Sequence, residues 1–597
     1  MAKWMVYHKK EDFKSIAQTC GVSQVRARLI RNRDVIGAIQ TRRFLKGSLR
    51  DLYDPRLLPD MEKAVEILCG RIREGVPVRV IGDYDVDGIC ASYILIRTLS
   101  VCGVQADVIL PDRVKDGYGM NPQMSRDAAE DGIGLILTCD NGIAAADAIR
   151  AAKEAGICVV VTDHHEVPFE ENSDTKERSY LLPPADAVVD PKVRNPVTGE
   201  MDYPFPEICG AVVAWKLADL LLEQLCPGQR EETLRDLLPF CALATVCDVM
   251  PLLDENRILV REGLAQASIT SNIGLRSLLI VNGLEGRELS AYHAGFVIGP
   301  CLNATGRLDN AERALALFLE EDPGEALRSA QKLRELNDSR KSLTEQGVEA
   351  ALDQIHARHL TDKKIMVIFL PDCHESLAGI IAGRIRERYS RPVFVLTRTE
   401  QGLVKGSGRS IDAYDMFAGM TAVKDCFEKF GGHRMAAGLT VREEMIPVLQ
   451  DRLEKGCGLR EEDLTEVMHI DMVLPPGLWT LGMTEELQLL EPFGIANPRP
   501  LFVVRGIRLH SVRVLGKGRT VLRFEAEDER GGRLTLVRFQ EAALQQEEIC
   551  AQAGRQTWED LCAGRADLPV SMVYYPEINE WRGRKSLQFI IKDMHVN

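Results

Sequence analysis

Val78-Arg79-Val80-Ile81-Gly82-Asp83-Tyr84-Asp85-Val86-Asp87-Gly88 is the stretch on which the reading of this chain turns. Val78 to Ile81 is a short, mostly apolar run and reads as a buried strand. Three aspartates follow at alternate positions, then a glycine, then an apolar segment over 89–99 that can form a helix. Carboxylates gathered on one strand-to-helix turn repel each other unless a cation sits among them. Hard divalent cations take oxygen ligands, and a buried carboxylate without a partner is costly.

The spacing Asp83-x-Asp85-x-Asp87-Gly88 also matches the first half of a calcium-binding EF-hand loop. That loop needs a glutamate at its twelfth position and a helix in front of it. Here the twelfth position is Ile94 and a β-branched run precedes the loop, which argues against the EF-hand. A solvated acidic turn is the plain alternative, and the rest of the chain decides between the two.

Working outward, strand and helix patterns alternate. Strands are expected over 106–110, 134–139, 157–162 and 187–189, with a helix over 144–154. β-branched runs separated by helices imply a parallel sheet covered on both faces. In such sheets the site lies beyond the carboxyl ends of the strands. Three of those ends carry residues able to hold a metal: Asp85 and Asp87, Asp140 in Asp140-Asn141-Gly142, and His164 in Asp163-His164-His165. One acidic loop is commonplace, whereas three converging ones point to a metal site. Asp248 lies in the apolar run Leu243-Ala244-Thr245-Val246-Cys247-Asp248-Val249-Met250-Pro251-Leu252. A carboxylate there needs a cation, a capping role or a core hydrogen bond, and beside the other acids metal ligation is favoured.

At 597 residues the chain should hold several domains. No apolar run approaches the ~20 residues of a membrane helix. The first residues carry Trp4, Lys9 and Lys10 with no apolar signal core, so a cytoplasmic protein away from membranes is expected. Sixteen cysteines occur without a Cys-x-x-Cys pair, which speaks against a disulfide framework or a zinc ribbon. A net charge of −14 excludes a general positive coat but not a local basic track.

Residues 1–75 read as helical. Arg307, after a Gly-containing turn in Gly299-Pro300-Cys301-Leu302-Asn303-Ala304-Thr305-Gly306-Arg307, is a phosphate-contact candidate, since a guanidinium fork suits phosphate oxygens. Residues 323–360 carry apolar positions at helical spacing amid many charges and read as a long connecting helix. A second α/β domain follows over 361–457. It holds His374 and two Gly-rich segments read as turns, Lys405-Gly406-Ser407-Gly408-Arg409-Ser410 and Phe430-Gly431-Gly432-His433. Such turns bring backbone amides and a guanidinium close to an oxyanion. For His374 taken alone, a structural histidine is the plainer reading. Residues 458–597 show several short strands and suggest a small β-barrel. Arg505, Arg508, Arg513, Lys517, Arg519 and Arg523 alternate there with Phe502, Phe524 and Phe539. Cations following a backbone and aromatics stacking bases would suit a single-strand-binding OB barrel; an ordinary barrel with core phenylalanines is the alternative.

Five elements in order now support a family resemblance: Asp83-x-Asp85-x-Asp87-Gly88, Asp140-Asn141-Gly142, Asp163-His164-His165, Asp248-Val249-x-Pro251-Leu252 and Gly431-Gly432-His433. Together they resemble the DHH phosphoesterase superfamily, most closely its single-strand-specific 5′→3′ DNA exonucleases. The resemblance spans almost the whole chain. It implies an α/β parallel-sheet DHH core over 76–322, the connecting helix, a DHH-associated second α/β domain and a C-terminal OB-type barrel. It also implies two divalent cations, Mn²⁺ or Mg²⁺, held by Asp85, Asp87, Asp140, His164 and Asp248, with Asp140 as the bridge. Asp83 and His165 match positions at or next to the metals. Arg113, Ser407 and Arg409 match a 5′-phosphate pocket, and Arg307, His374 and His433 match substrate-side positions. On the barrel, Phe502 and Arg523 are the expected strand contacts.

The implied activity is two-metal hydrolysis of single-stranded DNA from its 5′ end in recombination and repair. The implied partners are single-stranded DNA, a helicase and a single-strand-binding protein, with the chain itself a monomer. A DHH phosphodiesterase acting on short oligonucleotides or cyclic dinucleotides, and a catalytically idle DNA-binding scaffold, are the alternatives. The sequence departs from the family pattern at His374-Glu375-Ser376, where His-Pro-Gly is usual. It also departs at Gly408, where alanine is more usual and little effect is expected, and in an acidic insert after His165.

Overall fold

The computed structural model describes the chain except Met1, Val114, Ser173, Asp174, Lys176, Glu177, Glu400, Gln401, Lys517 and Arg582. Lys517, one of the expected basic residues of the barrel, thus lies outside the described residues. The chain divides into two compact units, Ser48–Arg460 and a second made of Met1–Gly47 with Glu461–Asn597.

The first unit begins with the helix Met61–Arg73 and a five-stranded, all-parallel sheet. In space the strands run Asp107–Ile109, Val78–Ile81, Leu135–Cys139, Cys158–Thr162, Ala187–Val189. Numbered along the chain this order is 2-1-3-4-5. Val78–Ile81 and Leu135–Cys139 are adjacent, and the connections leave them in opposite directions. A crevice opens at such a switch point, where ligands of doubly wound sheets bind. Three central strands are buried along their whole length, which explains their unbroken β-branched runs. Their core continues into the apolar helices Val86–Val101, Gly210–Leu225 and Arg230–Cys247. The acidic insert forms a small hairpin, Phe169–Glu171 with Arg178–Tyr180.

The 35-residue helix Pro323–Ala357 follows, capped by Asp322. It leads into a mixed sheet ordered Lys429–Gly432, Ala436–Val441, Val404–Arg409, Val393–Arg398, Met366–Phe369, of which only the last pair is parallel. One expectation is corrected here: Lys405 to Arg409 is a strand, not a turn. Its glycines alternate with its polar residues because the sheet face they occupy has no room. A β-carbon on Gly406 would lie 2.7 Å from the Val395 carbonyl oxygen, and one on Gly408 2.4 Å from Met416 Sδ. Alanine at 408 is therefore not neutral in this chain. Lys405, Ser407 and Arg409 project from the opposite face.

The second unit centres on a closed barrel. The long strand Phe502–Leu515 pairs with both Val521–Glu527 and Leu568–Trp581, and the circuit closes through Arg533–Phe539 and Arg584–Val596. Two breaks of register bend the first strand. The N-terminal segment is not wholly helical, as its periodicity suggested. Lys3–Val6 is a strand paired in parallel with Val467–Ile470, and residues through Gly47 group with the barrel. Trp4 belongs to this packing, its indole N–H donating to Asp593 at 2.8 Å. Among the described residues no helix is long and apolar enough to cross a membrane.

Candidate metal centre and phosphate cleft

The turn after Val78–Ile81 is built by its own side chains. Asp85 caps the following helix, its Oδ1 accepting from the N–H groups of Asp87 and Gly88. Gly88 is required because a β-carbon there would lie 2.5 Å from the Asp83 backbone. Asp87 reaches across to the N-terminus of Gly210–Leu225 and accepts from Gly210 N–H and Ala211 N–H, each at 2.7 Å. These bonds fix its position at the helix N-terminus. Asp140 follows the neighbouring strand in a left-handed conformation, φ 60°, and is buried. Asp248 caps the C-terminus of Arg230–Cys247.

These residues converge. His164 Nε2 lies 3.1 Å from Asp140 Oδ1, 3.4 Å from Asp87 Oδ2 and 3.7 Å from Asp248 Oδ2. Burial holds the His164 pKa down at about 4, so the ring is neutral and these approaches are not ion pairs. A neutral imidazole facing three carboxylates is a ligand arrangement. Three overlapping sets have donor atoms within 4.8 Å of one another: Asp83, Asp85 and Asp140; Asp87, His164 and Asp248; Asp140, His164 and His165. Asp83 Oδ2, Asp140 Oδ1 and both ring nitrogens of His164 are buried with no hydrogen-bond partner. Burial, and then repulsion from Asp85 and Asp87 respectively, pushes Asp83 and Asp248 up to about 8; Asp85 and Asp140 are raised for the same reasons. Orphaned oxygens, orphaned imidazole nitrogens and crowded like charges all fit divalent cations. Asp83, whose role the motif left open, offers a freer oxygen than Asp87 does.

Two residues to which the sequence reading gave no role shape the centre. Asp163 is buried and accepts from Ile143 N–H, His164 N–H and the His165 ring, the last at 2.7 Å. Burial opposes a proton on His165, but the Asp163 bond and charge outweigh it and raise the pKa to about 9. Tyr118 donates to the Asp140 carbonyl at 2.7 Å and touches the His165 ring. Asp163 was legible as part of the motif, but Tyr118 had no signal beyond its place in a loop.

A cleft of about 450 Å³ adjoins the aspartate turn, with Arg113 of its lining lying over Tyr84. Arg113, Arg307, Lys405, Ser407, Arg409 and Lys429 line it, with Glu375 as the one acid and paired to Lys405 at 3.1 Å. Tyr84 links the two sites: the Arg113 guanidinium lies 4.8 Å over its ring, and a β-carbon on Gly306 would meet its carbonyl. Arg307 is in the last turn of the helix Gly299–Leu308, not after a turn as expected, and donates to the Ser376 carbonyl at 2.8 Å. Burial, then Arg113, Arg340 and Arg409, lower its pKa to about 10. Cations crowded together with few counter-charges ask for an anion.

The remaining expected residues fall elsewhere. His374 caps the short turn Glu375–Leu377 and bonds Ser376 Oγ at 2.7 Å, while its neighbours, not its ring, line the cleft. His433 is exposed at the hairpin turn, where its Nδ1 accepts from Met435 N–H. Phe502 is not a base-stacking residue. It is fully buried in the barrel, packed edge-on against Trp479 at 4.8 Å, because alternation along its strand turns it inward. Phe524 is buried too, whereas Phe539 is exposed. Arg523 is paired with Glu525 and Arg508 with Asp567, so acids interrupt the expected basic track.

Comparison with known proteins agrees with this geometry. The DHH family N-terminal domain matches residues 77–245, the DHHA1 domain 362–457 and the RecJ OB domain 470–593. The single-stranded-DNA-specific exonuclease RecJ of Bacillus subtilis is 33% identical over 599 residues, covering 100% of this chain and 71% of the relative. The chain belongs to the RecJ family. Crystal structures of Thermus thermophilus RecJ match closely. The Mn²⁺ complex aligns with a TM-score of 0.79 at 28% identity, covering 99% of this chain and 79% of that one. The Mg²⁺ complex aligns with a TM-score of 0.72 at 27% identity, covering 99% and 78%. A RecJ architecture of DHH core, long helix, DHHA1 domain and OB barrel is therefore the architecture of this chain.

Proposed function

We propose that this RecJ-family chain is a metal-dependent exonuclease that hydrolyses single-stranded DNA from the 5′ end. The observation that carries the reading is the pairing of a carboxylate-imidazole centre with a predominantly cationic cleft that meets it at Tyr84. Asp83, Asp85, Asp87, Asp140, His164 and Asp248 are the residues that would hold two divalent ions. Such ions supply charge neutralisation at the scissile phosphate and a more acidic attacking water.

The chain's own residues do the rest. Arg113, Ser407 and Arg409 hold a terminal 5′ phosphate, and Tyr84 sets its distance from the carboxylates. Arg307, held by the Ser376 carbonyl, faces the charge that develops on the phosphate. Asp163 accepts from the His164 backbone, orients the His165 ring and keeps that ring cationic, a donor to a phosphate oxygen. Gripping the chain end beside the centre sets polarity and makes the enzyme an exonuclease. Its sixteen free thiols suit a reducing cytoplasm, and we take it to act there as a monomer, on strands opened by a helicase or presented by a single-strand-binding protein.

The test is one digestion series with Mn²⁺ on 5′- and 3′-labelled single strands, duplex DNA, RNA and a cyclic dinucleotide. Immediate release of the 5′ label from single-stranded DNA is expected, and its loss in Asp140→Ala with the fold retained. Preferential attack on the cyclic dinucleotide, or undiminished activity in that variant, would overturn the reading.

A further inference from the structure

The helical run from Ala291 to Leu308 carries Arg307 at one end and two bare aromatic rings at the other. Tyr292 is 64% exposed and Phe296 69% exposed. Their rings are stacked, with centroids 5.2 Å apart and planes inclined by 21°. A stacked pair of open rings forms one contiguous apolar patch rather than scattered exposed residues. The helix is locally widened into a π turn at Ala294–Ile298, a distortion common at functional sites.

The position of the pair is what gives it meaning. The π turn packs directly on the end of the helix that presents Asp248. Cys247 Sγ approaches the Ala294 carbonyl at 3.6 Å, and a β-carbon on Gly299 would fall 2.3 Å from Cys247 Sγ. Next to Asp248, Val249 is 61% exposed and held at φ 61°. A β-branched residue in that left-handed region is strained, so a third apolar side chain is kept at this edge against its backbone preference. From Phe296 to Arg307 is eleven residues, about 16 Å along the run at the ordinary helical rise. At the ~3.4 Å spacing of a stacked strand this spans about five bases, and fewer if the strand is stretched.

We propose that Tyr292 and Phe296 form a stacking platform for nucleobases of the substrate strand on the far side of the metal centre from the 5′-phosphate cleft. This rests on the single-strand exonuclease reading above. The occupant is a run of unpaired bases: a flat ring pair on the helical run that also carries Arg307, packed against the end of the Asp248 helix, accepts any base by its π face and asks for no sequence. A paired base hides that face inside its duplex stack. The platform thus holds the strand in register behind the phosphate being cut, and it selects for unpaired substrate independently of the barrel.

The test measures kcat/KM with Mn²⁺ for 5′-phosphorylated strands of two and of twelve nucleotides in the parent, Tyr292→Ala, Phe296→Ala and Phe296→Trp. Phe296→Ala is expected to lower the twelve-to-two ratio by roughly 5- to 150-fold, the usual loss for one stacked base, through KM more than kcat. Phe296→Trp, which keeps the ring face, is expected to restore it. A parallel series places single abasic sites along the twelve-mer. One or two positions should weaken the parent sharply and leave Phe296→Ala no weaker than before. Equal ratios in parent and Phe296→Ala, or the same abasic profile in both, would overturn the platform while leaving the exonuclease reading standing. A parent that releases no 5′ label from any strand would fail that reading instead. A loss that Phe296→Trp does not recover would show the position to be structural and also overturn the proposal.

Discussion

Gly210→Ala perturbs the proposed centre without removing any ligand. Gly210 begins the helix Gly210–Leu225 and donates its N–H to Asp87 at 2.7 Å. A β-carbon there would lie 2.6 Å from Asp140 Cβ, 2.8 Å from Asp140 Oδ1 and 2.9 Å from Asp140 Cα. Non-bonded carbons settle at about 3.5–4.0 Å, so about 1 Å must be found between the helix and Asp140. Neither side yields freely. Asp140 is buried at φ 60°, and the helix is buried along most of its length. Forcing them apart should cost about 1–3 kcal/mol of stability, as overpacking does. The larger effect is on chemistry, because moving a reacting group by ~1 Å lowers turnover about 100-fold. The assay is kcat/KM on a 5′-phosphorylated single strand with Mn²⁺, beside calorimetric titration of Mn²⁺ and a far-UV spectrum. Activity should fall about 100-fold and Mn²⁺ affinity should weaken, with the fold retained. Gly70, inside Met61–Arg73, has open space where its β-carbon would go. Gly70→Ala should instead stabilise by about 0.5–1 kcal/mol with activity intact. Parent-like turnover and Mn²⁺ affinity in Gly210→Ala would refute the claim that this contact sets the Asp140–Asp87 geometry.

Arg409→Ala should reduce the preference for 5′-phosphorylated over 5′-hydroxyl strands by about 10- to 100-fold, the worth of one charge-assisted hydrogen bond; an unchanged ratio removes Arg409 from the pocket. Metal-free protein should lose stability as pH rises from about 4 to about 8, because Asp83 and Asp248, pushed up to about 8 by burial and by Asp85 and Asp87, keep protons in the folded state that the unfolded chain has released. Melting curves in EDTA and in Mn²⁺ should therefore diverge with increasing pH, and parallel profiles would contradict the crowding of these acids. Phe502→Ala should destabilise the barrel by about 3–5 kcal/mol, as loss of a buried phenylalanine does, while Phe539→Ala stays within about 0.5 kcal/mol. A strand-binding defect in a Phe502→Ala protein of parental stability would reinstate the stacking role first expected of it.

The chemistry of the centre was legible because it is written in local patterns. A β-branched run releasing alternate aspartates, and three strand ends carrying Asp or His, need only period-two and strand-end reasoning. The errors came where local pattern is degenerate. Lys405 to Arg409 looked like a glycine-rich turn, but its glycines answer to Val395 and Met416 across the sheet, contacts made by residues distant in sequence. Phe502 looked like Phe539, since a strand's phenylalanine carries no mark of the face it will take. Arg523 read as part of a basic track until the fold paired it with Glu525.

The Asp83-Tyr84-Asp85-Val86-Asp87-Gly88 turn divides along the same line. Its residue types determined that the turn would collect negative charge at the end of a strand, and the ordered motifs beyond it determined the family. Tertiary structure decided what each acid does. Backbone N–H groups of a helix more than a hundred residues away claim Asp87, the turn's own amides claim half of Asp85, and Asp83 keeps an orphaned oxygen. Sequence specifies which groups are present, but a carboxylate's role depends on which donors and charges reach it. Those are set by strand order and helix packing.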